Sequence, residues 1–92
     1  MPIRHEPESS RYVLTDDSGE YAGEVEYDQQ GDTLLLLRAE VPEERRGGGY
    51  GVQLVRGTLE MIRDEQHGKV QPICPFIAKF MVKNPEFQAL RA

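Results

Sequence analysis

A length of 92 residues suits one domain, residues 1–92, and 38% hydrophobic with 29% charged residues describes an ordinary soluble globule. The net charge of −5 argues against a nucleic-acid backbone as a partner and mildly favours a cationic partner. A membrane span, a signal peptide and an internal disulfide are not expected, because the chain has no long apolar run and one cysteine, and this predicts a cytoplasmic protein.

The N-terminal half alternates between predicted strands and turns. Residues 1–9 are polar and contain two prolines, which predicts a loosely ordered arm. Strands are predicted at Arg11–Thr15, at 21–27, where polar and apolar side chains alternate, and at 33–41. Because the turns between them are short, we expect the three strands to form an antiparallel meander. Four successive leucines, 34–37, favour a central strand covered on both faces.

The C-terminal half alternates between helices and a strand. An apolar stripe at helical spacing predicts an amphipathic helix over residues 52–66. The stripe consists of Val52, Val55, Leu59 and Ile62. Residues 69–74 then form a fourth strand, which the helical crossover makes parallel to the third. Residues 77–82 predict a second helix and 86–92 a short helical tail, so the element order is β-β-β-α-β-α.

A glycine-rich loop separates the third strand from the first helix. Its sequence is Arg45-Arg46-Gly47-Gly48-Gly49-Tyr50-Gly51. A glycine loop between a strand and a helix can offer free backbone N–H groups and a helix N-terminus to a phosphate. The loop lacks the Lys of a Walker motif, and Val52 stands where a dinucleotide fingerprint needs a third glycine. A turn that only connects two elements is the alternative interpretation.

Three motifs together resemble a known family. The pattern Arg-x-x-Gly-x-Gly, from Arg46 to Gly51, resembles the acyl-CoA pyrophosphate loop of the GNAT acetyltransferase superfamily. The Val-Pro pair that begins at Val41 and the Cys-Pro-Phe segment that begins at Cys74 resemble the minimal members, of about 90 residues, which keep the cofactor-binding centre. The resemblance covers about residues 10–90.

The resemblance implies a truncated GNAT-like fold of the α/β (α+β) class, in which the parallel fourth strand splays from the third at the cofactor site. It implies acetyl-CoA as the cofactor and a primary amine, on a small molecule or a protein lysine, as the acceptor. Two departures from the family pattern concern the acceptor and the mechanism. The N-terminal helices that help to build the acceptor site are missing, and Val82 stands where many members have a general-acid tyrosine.

The resemblance also implies which residues contact the cofactor. Backbone N–H groups from Arg46 to Gly51 would receive the CoA pyrophosphate, and the two loop arginines either add charge or only solvate the turn. The implied cofactor-binding residues are Val41, Arg45, Arg46, Gly47, Gly48, Gly49, Tyr50, Gly51, Cys74 and Phe76. For Phe76, core packing alongside Phe80 and Phe87 is the favoured interpretation, although contact with pantetheine is open.

Cys74 and Glu40 are the two catalytic candidates beside the implied acyl site. The thiol of Cys74 can carry the acetyl group, act as an acid, or be a small buried residue, and its apolar neighbours favour the last. Glu40 can serve as a base, directly or through water, or can pair with Arg38 on the surface. No metal site is expected from two separated histidines and one cysteine, and His67 is interpreted as a cation at a helix C-terminus.

These observations predict direct transfer of acetyl from acetyl-CoA to a primary amine. The alternative is a non-enzymatic acyl-CoA-binding module or sensor, which the missing acceptor-site elements favour. The sequence carries no signal for the oligomeric state.

Overall fold

A computed structural model describes residues 2–92 as a five-stranded sheet with two α-helices. The strands are β1 (Ile3–Glu6), β2 (Arg11–Thr15), β3 (Tyr21–Gln30), β4 (Thr33–Glu40) and β5 (Lys69–Pro72). The helices are α1 (Tyr50–Asp64) and α2 (Pro75–Lys83), with short 3-10 segments at Pro7–Ser9, Glu43–Arg45 and Pro85–Leu90. Met1, the first residue of the predicted arm, lies outside the described residues. Within 2–92 no helix is long and apolar enough to cross a membrane.

The strand order in the sheet follows the chain, β1-β2-β3-β4-β5. The first four strands pair antiparallel, and β5 pairs parallel to β4 through the α1 crossover. This confirms the predicted α/β fold class, the antiparallel meander and the parallel strand. The structure adds one strand, β1, at the edge of the meander.

The loosely ordered arm predicted for residues 1–9 is wrong for the part that the structure describes. Strand β1 pairs with β2 over its whole length. Ile3 packs so closely on α1 that a Cβ at Gly57 would lie 2.6 Å from its side chain. His5 stacks on Tyr12 with ring centroids 4.4 Å apart. The strand has only four residues and three of them are polar, so it gave little local signal.

Both helices pack on one face of the sheet and share a single core cluster with it. Leu34 and Leu36 of β4 face this core and are buried, whereas Leu35 is half-buried and Leu37 is 43% exposed. The expectation that β4 is covered on both faces is therefore wrong. The face away from the helices carries paired charged side chains, namely Arg4, Glu6, Arg11, Glu24, Glu26, Arg38 and Glu40.

A β-bulge in β4 determines how this strand ends. The register moves from Tyr27 opposite Leu36 to Glu26 opposite Arg38, which makes Leu37 an extra residue in β4. Pairing between β4 and β5 stops at Leu36 opposite Pro72, although β4 continues to Glu40. Strand β5 itself ends at Pro72, so the last four residues of β4 have no neighbouring strand on that side. The predicted splay at the cofactor site stays a prediction.

The helices also differ in detail from the predicted ones. Val52 is 49% exposed, because it lies in the first turn of α1, whereas the rest of the predicted stripe is buried. Helix α2 begins at Pro75, a residue suited to a first helical position, so β5 is shorter than predicted and Cys74 lies between the two elements. The predicted helical tail is a 3-10 segment, after which Arg91 forms a bridge with Val70.

Candidate cofactor site and active site

The loop before α1 presents a row of unpaired backbone donors. Among residues 2–92, none accepts a hydrogen bond from the N–H groups between Gly47 and Val52, and the first paired donor is Gln53, 3.2 Å from the Gly49 oxygen. The φ angles of Gly47 and Gly49 are +89° and +81°, and such turns direct successive N–H groups toward one side. Since α1 begins at Tyr50, its dipole adds positive potential there. This geometry suits a phosphate.

The N–H of Arg46, which was also predicted to meet the pyrophosphate, is already paired. It donates to the Glu43 oxygen at 3.2 Å in the short 3-10 segment before the loop. The row of free donors therefore starts one residue later than the motif suggests, at Gly47, and extends one residue further, to Val52.

The space beside the loop glycines is open on the protein side. A Cβ at Gly47 would meet no atom within 4 Å, and a Cβ at Gly49 would meet only the Gln53 side chain at 4.0 Å. At Gly51 a Cβ would contact the Phe76 ring at 3.5 Å, an ordinary van der Waals distance. Packing within the protein does not demand these glycines, whereas the positive φ angles of Gly47 and Gly49 favour glycine there.

The two loop arginines differ in what they contact. Arg45 is part-buried and donates from Nη1 to Oδ2 of Asp16 at 2.7 Å. Arg46 is exposed and donates from Nε to the Val41 oxygen at 3.1 Å. Within 2–92 the terminal nitrogens of Arg46 have no partner, so this guanidinium can reach an anion while Arg45 is held by a carboxylate.

A cleft of about 460 Å³ runs from the glycine loop to the end of β4, a volume in the range of small-molecule sites. Its lining residues are Ala39, Glu40, Val41, Arg45, Arg46, Gly47, Gly49, Tyr50, Gly51 and Phe76. Gly48 instead lines an adjoining cleft of about 590 Å³ beside the loop. Ala39 is the residue that sequence reasoning missed. Its position two residues before Val41, on the same side of the strand, is the signal that could have found it.

Phe76 belongs to this cleft and not to the core. It is 45% exposed, whereas Phe80 is 7% exposed and Phe87 is fully buried. The prediction that all three aromatic rings pack in the core is therefore wrong for Phe76, which instead supplies an apolar wall next to Gly51.

Cys74 lies two residues after the end of β5, next to Leu36 of β4. It is 8% exposed and caps the N-terminus of α2, and its N–H donates to the Leu36 oxygen at 3.0 Å. The same oxygen accepts the N–H of Ile73 at 3.0 Å. Cys74 is not among the residues that line the cleft. Cys74 is therefore a buried thiol outside the cleft, and its catalytic and cofactor-binding roles stay predictions.

Glu40 lines the cleft and also makes the surface ion pair that was its alternative interpretation. Its Oε1 accepts Nη2 of Arg38 at 2.9 Å, and Nε of Arg38 also donates to Glu26 at 2.6 Å. Strand β3 approaches the Glu40 backbone closely, since a Cβ at Gly23 would lie 2.8 Å from the Glu40 oxygen. The side chain of Glu40 is 48% exposed, so its second oxygen is accessible to solvent and to a ligand.

Most of the chain matches a known protein family. The family described as GCN5-related N-acetyl-transferase matches residues 11–90. The chain belongs to the GCN5-related N-acetyltransferase family. The NMR solution structure of a GCN5-like protein from Staphylococcus aureus shares this GNAT fold, with a TM-score of 0.69 and 21% identity over 99% of this chain and 87% of the other. A comparison with curated protein sequences gives no significant match.

One conspicuous cluster of this GNAT domain lies outside the cleft, at the other end of α1. His67 follows the end of α1, where its Nδ1 shares a hydrogen bond of 2.7 Å with the Tyr12 hydroxyl and its Nε2 lies 3.3 Å from Oε1 of Glu65. His5 shares one of 2.7 Å with the Tyr27 hydroxyl, and the two histidine rings lie 4.8 Å apart. Burial, followed by the neighbouring His67, lowers the pKa of His5. The cluster joins β1 to the rest of the sheet.

Proposed function

We propose that this GNAT domain is an acetyl-CoA-dependent N-acetyltransferase that moves acetyl to a primary amine by direct attack. The observation that carries the proposal is the row of free N–H groups from Gly47 to Val52, which opens onto a cleft between the end of β4 and the first turns of α1 and α2. Family membership makes acetyl-CoA the natural ligand of such a cleft. The expected cytoplasmic location stays a prediction.

The residues present fit coenzyme A in charge and in polarity. The loop donors and the free guanidinium of Arg46 suit the pyrophosphate. Beyond them the cleft wall becomes apolar through Ala39, Val41 and Phe76, which suits the pantetheine arm. The acetyl group would then lie beside the last residues of β4, which have no partner strand on the β5 side after Leu36.

Direct transfer needs one base and one set of donors. The neutral amine nitrogen attacks the thioester carbonyl, a C–N bond forms, and the C–S bond breaks to release CoA. Backbone N–H groups of β4 beyond the bulge would polarise the carbonyl. Glu40, directly or through water, would accept the proton that the ammonium acceptor loses, and CoA thiolate takes a proton from solvent. Cys74 packs next to Leu36 of β4 and carries no acetyl group in this route.

The acceptor is a small-molecule amine or a protein lysine. The net charge of −5 favours a cationic acceptor over an anionic one. Glu40, at the end of the cleft, would be the carboxylate that such an ammonium group meets first.

A non-enzymatic acyl-CoA-binding module is the second candidate. The observation in its favour is that Arg38 already holds the carboxylate of Glu40. In addition, Val82, in place of the family's tyrosine, is 71% exposed and has no acid function. This candidate predicts the same cofactor binding without transfer.

Two measurements test the proposal and separate the candidates. Acetyl-CoA should raise the melting temperature, because a ligand that binds only the folded state stabilises it. No shift at millimolar acetyl-CoA, with a folded sample, would remove both candidates. Release of free CoA thiol in the presence of small amines and lysine peptides would establish transfer. Binding without acceptor-dependent release would leave the binding module.

A further inference from the structure

An ion pair joins the glycine loop to the turn between β2 and β3. Arg45 of the loop contacts Asp16 at 2.7 Å, although 29 residues separate them in the sequence. Only Oδ2 of Asp16 makes this contact. Its Oδ1 accepts the N–H groups of Ser18 and Glu20 at 2.9 Å and the Ser18 hydroxyl at 2.8 Å. One oxygen of Asp16 therefore organises the turn, and the other holds the loop.

Both charged groups are shielded, and the contact extends to α1. The side chains of Arg45 and Asp16 are 22% and 15% exposed. The pKa of Asp16 is held well below its usual range, first by the N–H of Glu20, then by the Ser18 hydroxyl and Arg45. The Arg45 guanidinium also lies 5.7 Å from the ring centroid of Tyr50, the first residue of α1. Arg45 thus contacts the turn and the start of the helix together.

The two arginines of the glycine loop, Arg45 and Arg46, make different contacts. We propose that the Asp16–Arg45 ion pair positions the glycine loop for its ligand, and that Arg46 alone brings charge to that ligand. The proposal rests on the proposed function in one respect, since the loop's ligand is taken to be the pyrophosphate of acetyl-CoA. Asp16 and Arg45 are positioning residues, because they act through the loop backbone.

Removal of Asp16 distinguishes positioning from simple electrostatics by the sign of its effect. Asp16 is an anion near a site for an anion, so electrostatics alone predicts that Asp16→Ala tightens acetyl-CoA binding. Loss of the ion pair predicts the reverse, about tenfold weaker binding, with a raised KM for acetyl-CoA and an unchanged kcat. Glu20→Ala is the matched control. Glu20 is 70% exposed and 3.8 Å from Arg45, so its removal deletes the same charge from the same turn but leaves the contact.

The partner residues give a second, independent readout. Arg45→Ala should weaken binding as much as Asp16→Ala does, and the double variant should be no weaker than either one, because the two changes remove one shared contact. Arg46→Ala should also weaken binding, but it should reduce the salt dependence of the Kd, which the Asp16 and Arg45 variants leave unchanged. A reduced salt dependence in Arg45→Ala would overturn the proposal.

A measurement without ligand separates this proposal from the proposed function. NMR order parameters of the Gly47–Gly49 amides should fall in Asp16→Ala and stay unchanged in Glu20→Ala. If they do so but the parent protein binds no acetyl-CoA, the ion-pair proposal stands and the function fails. If order and affinity in Asp16→Ala equal those of the parent, the ion-pair proposal fails and the function stands. Asp16→Asn, which keeps the acceptor that organises the turn, replaces Asp16→Ala if the latter does not fold.

Discussion

The substitution Gly51→Ala should make the free protein more stable and its complex weaker. Gly51 is the second residue of α1, where glycine is unfavourable, and a Cβ there would meet only Phe76 at 3.5 Å. Replacing a helical glycine by alanine contributes about 0.5–1 kcal/mol. In a domain of this size that gain raises the melting temperature by about 2–8 °C.

The same methyl group would enter the wall of the cleft. Gly51 and Phe76 both line it, and the N–H of Gly51 is one of the free donors. We expect at least a tenfold loss of acetyl-CoA affinity, which is about 1.4 kcal/mol. At a ligand concentration 100 times the parent Kd, acetyl-CoA stabilises the parent by ~2.7 kcal/mol, and a tenfold weaker variant by ~1.4 kcal/mol.

Thermal unfolding by circular dichroism, with and without acetyl-CoA, measures both effects in one experiment. The variant should melt above the parent when free and gain less from the ligand. Val52→Ala is the control, because Val52 lies in the same turn, is 49% exposed and does not line the cleft. An unchanged gain from acetyl-CoA in Gly51→Ala would show that the pyrophosphate does not bind at the start of α1. A lowered melting temperature of the free variant would refute the helix argument.

Four further outcomes are expected. Cys74→Ala should bind acetyl-CoA almost normally and lose only a modest factor in rate, and a hydroxylamine-labile acetyl adduct on the thiol would contradict this. Gly49→Val should nearly abolish acetyl-CoA binding in calorimetry while the circular dichroism spectrum stays normal, because a φ of +81° is unfavourable for a β-branched residue. Unchanged affinity would mean that the phosphate binds elsewhere. The free energy of unfolding should fall as the pH drops below about 6.5, because the pKa of half-buried His5 is lowered from its ordinary 6.5 and the unfolded chain therefore binds more protons. Urea titrations should show a flatter pH profile in His5→Phe, and an equal slope would exclude His5 as the cause. Thr58→Val should raise the free energy of unfolding by about 1 kcal/mol in urea, because the Thr58 hydroxyl is buried and has no hydrogen-bond partner within residues 2–92. A decrease in the free energy of unfolding would mean that the hydroxyl is paired.

The parts of the site that are built from residues adjacent in the sequence could be predicted. The strand, the glycines and the helix that follow one another around Gly49 determine a local geometry, and the predicted loop lies where the structure has it. The partner of Arg45 could not be predicted, because Asp16 lies in another turn and no local pattern links the two. The same holds for β1, whose Ile3 is held by a glycine in α1. Cys74 was assigned to β5 because only the fold shows that pairing stops at Pro72.

The end of β4 connects the glycine loop to the strand that lines the cleft. Arg46 donates to the Val41 oxygen at 3.1 Å, so the arginine that we propose for the phosphates is anchored on the residue that follows β4. Strand β3 in turn lies close to the Glu40 backbone, because Gly23 has no side chain. A Cβ on Gly23 would lie 2.8 Å from the Glu40 oxygen. Both contacts lie within the meander and the loop that follows it, whereas α1 and α2 supply Tyr50, Gly51 and Phe76 to the same cleft. The cleft therefore depends on one continuous stretch of local chain and on the packing of both helices against the sheet.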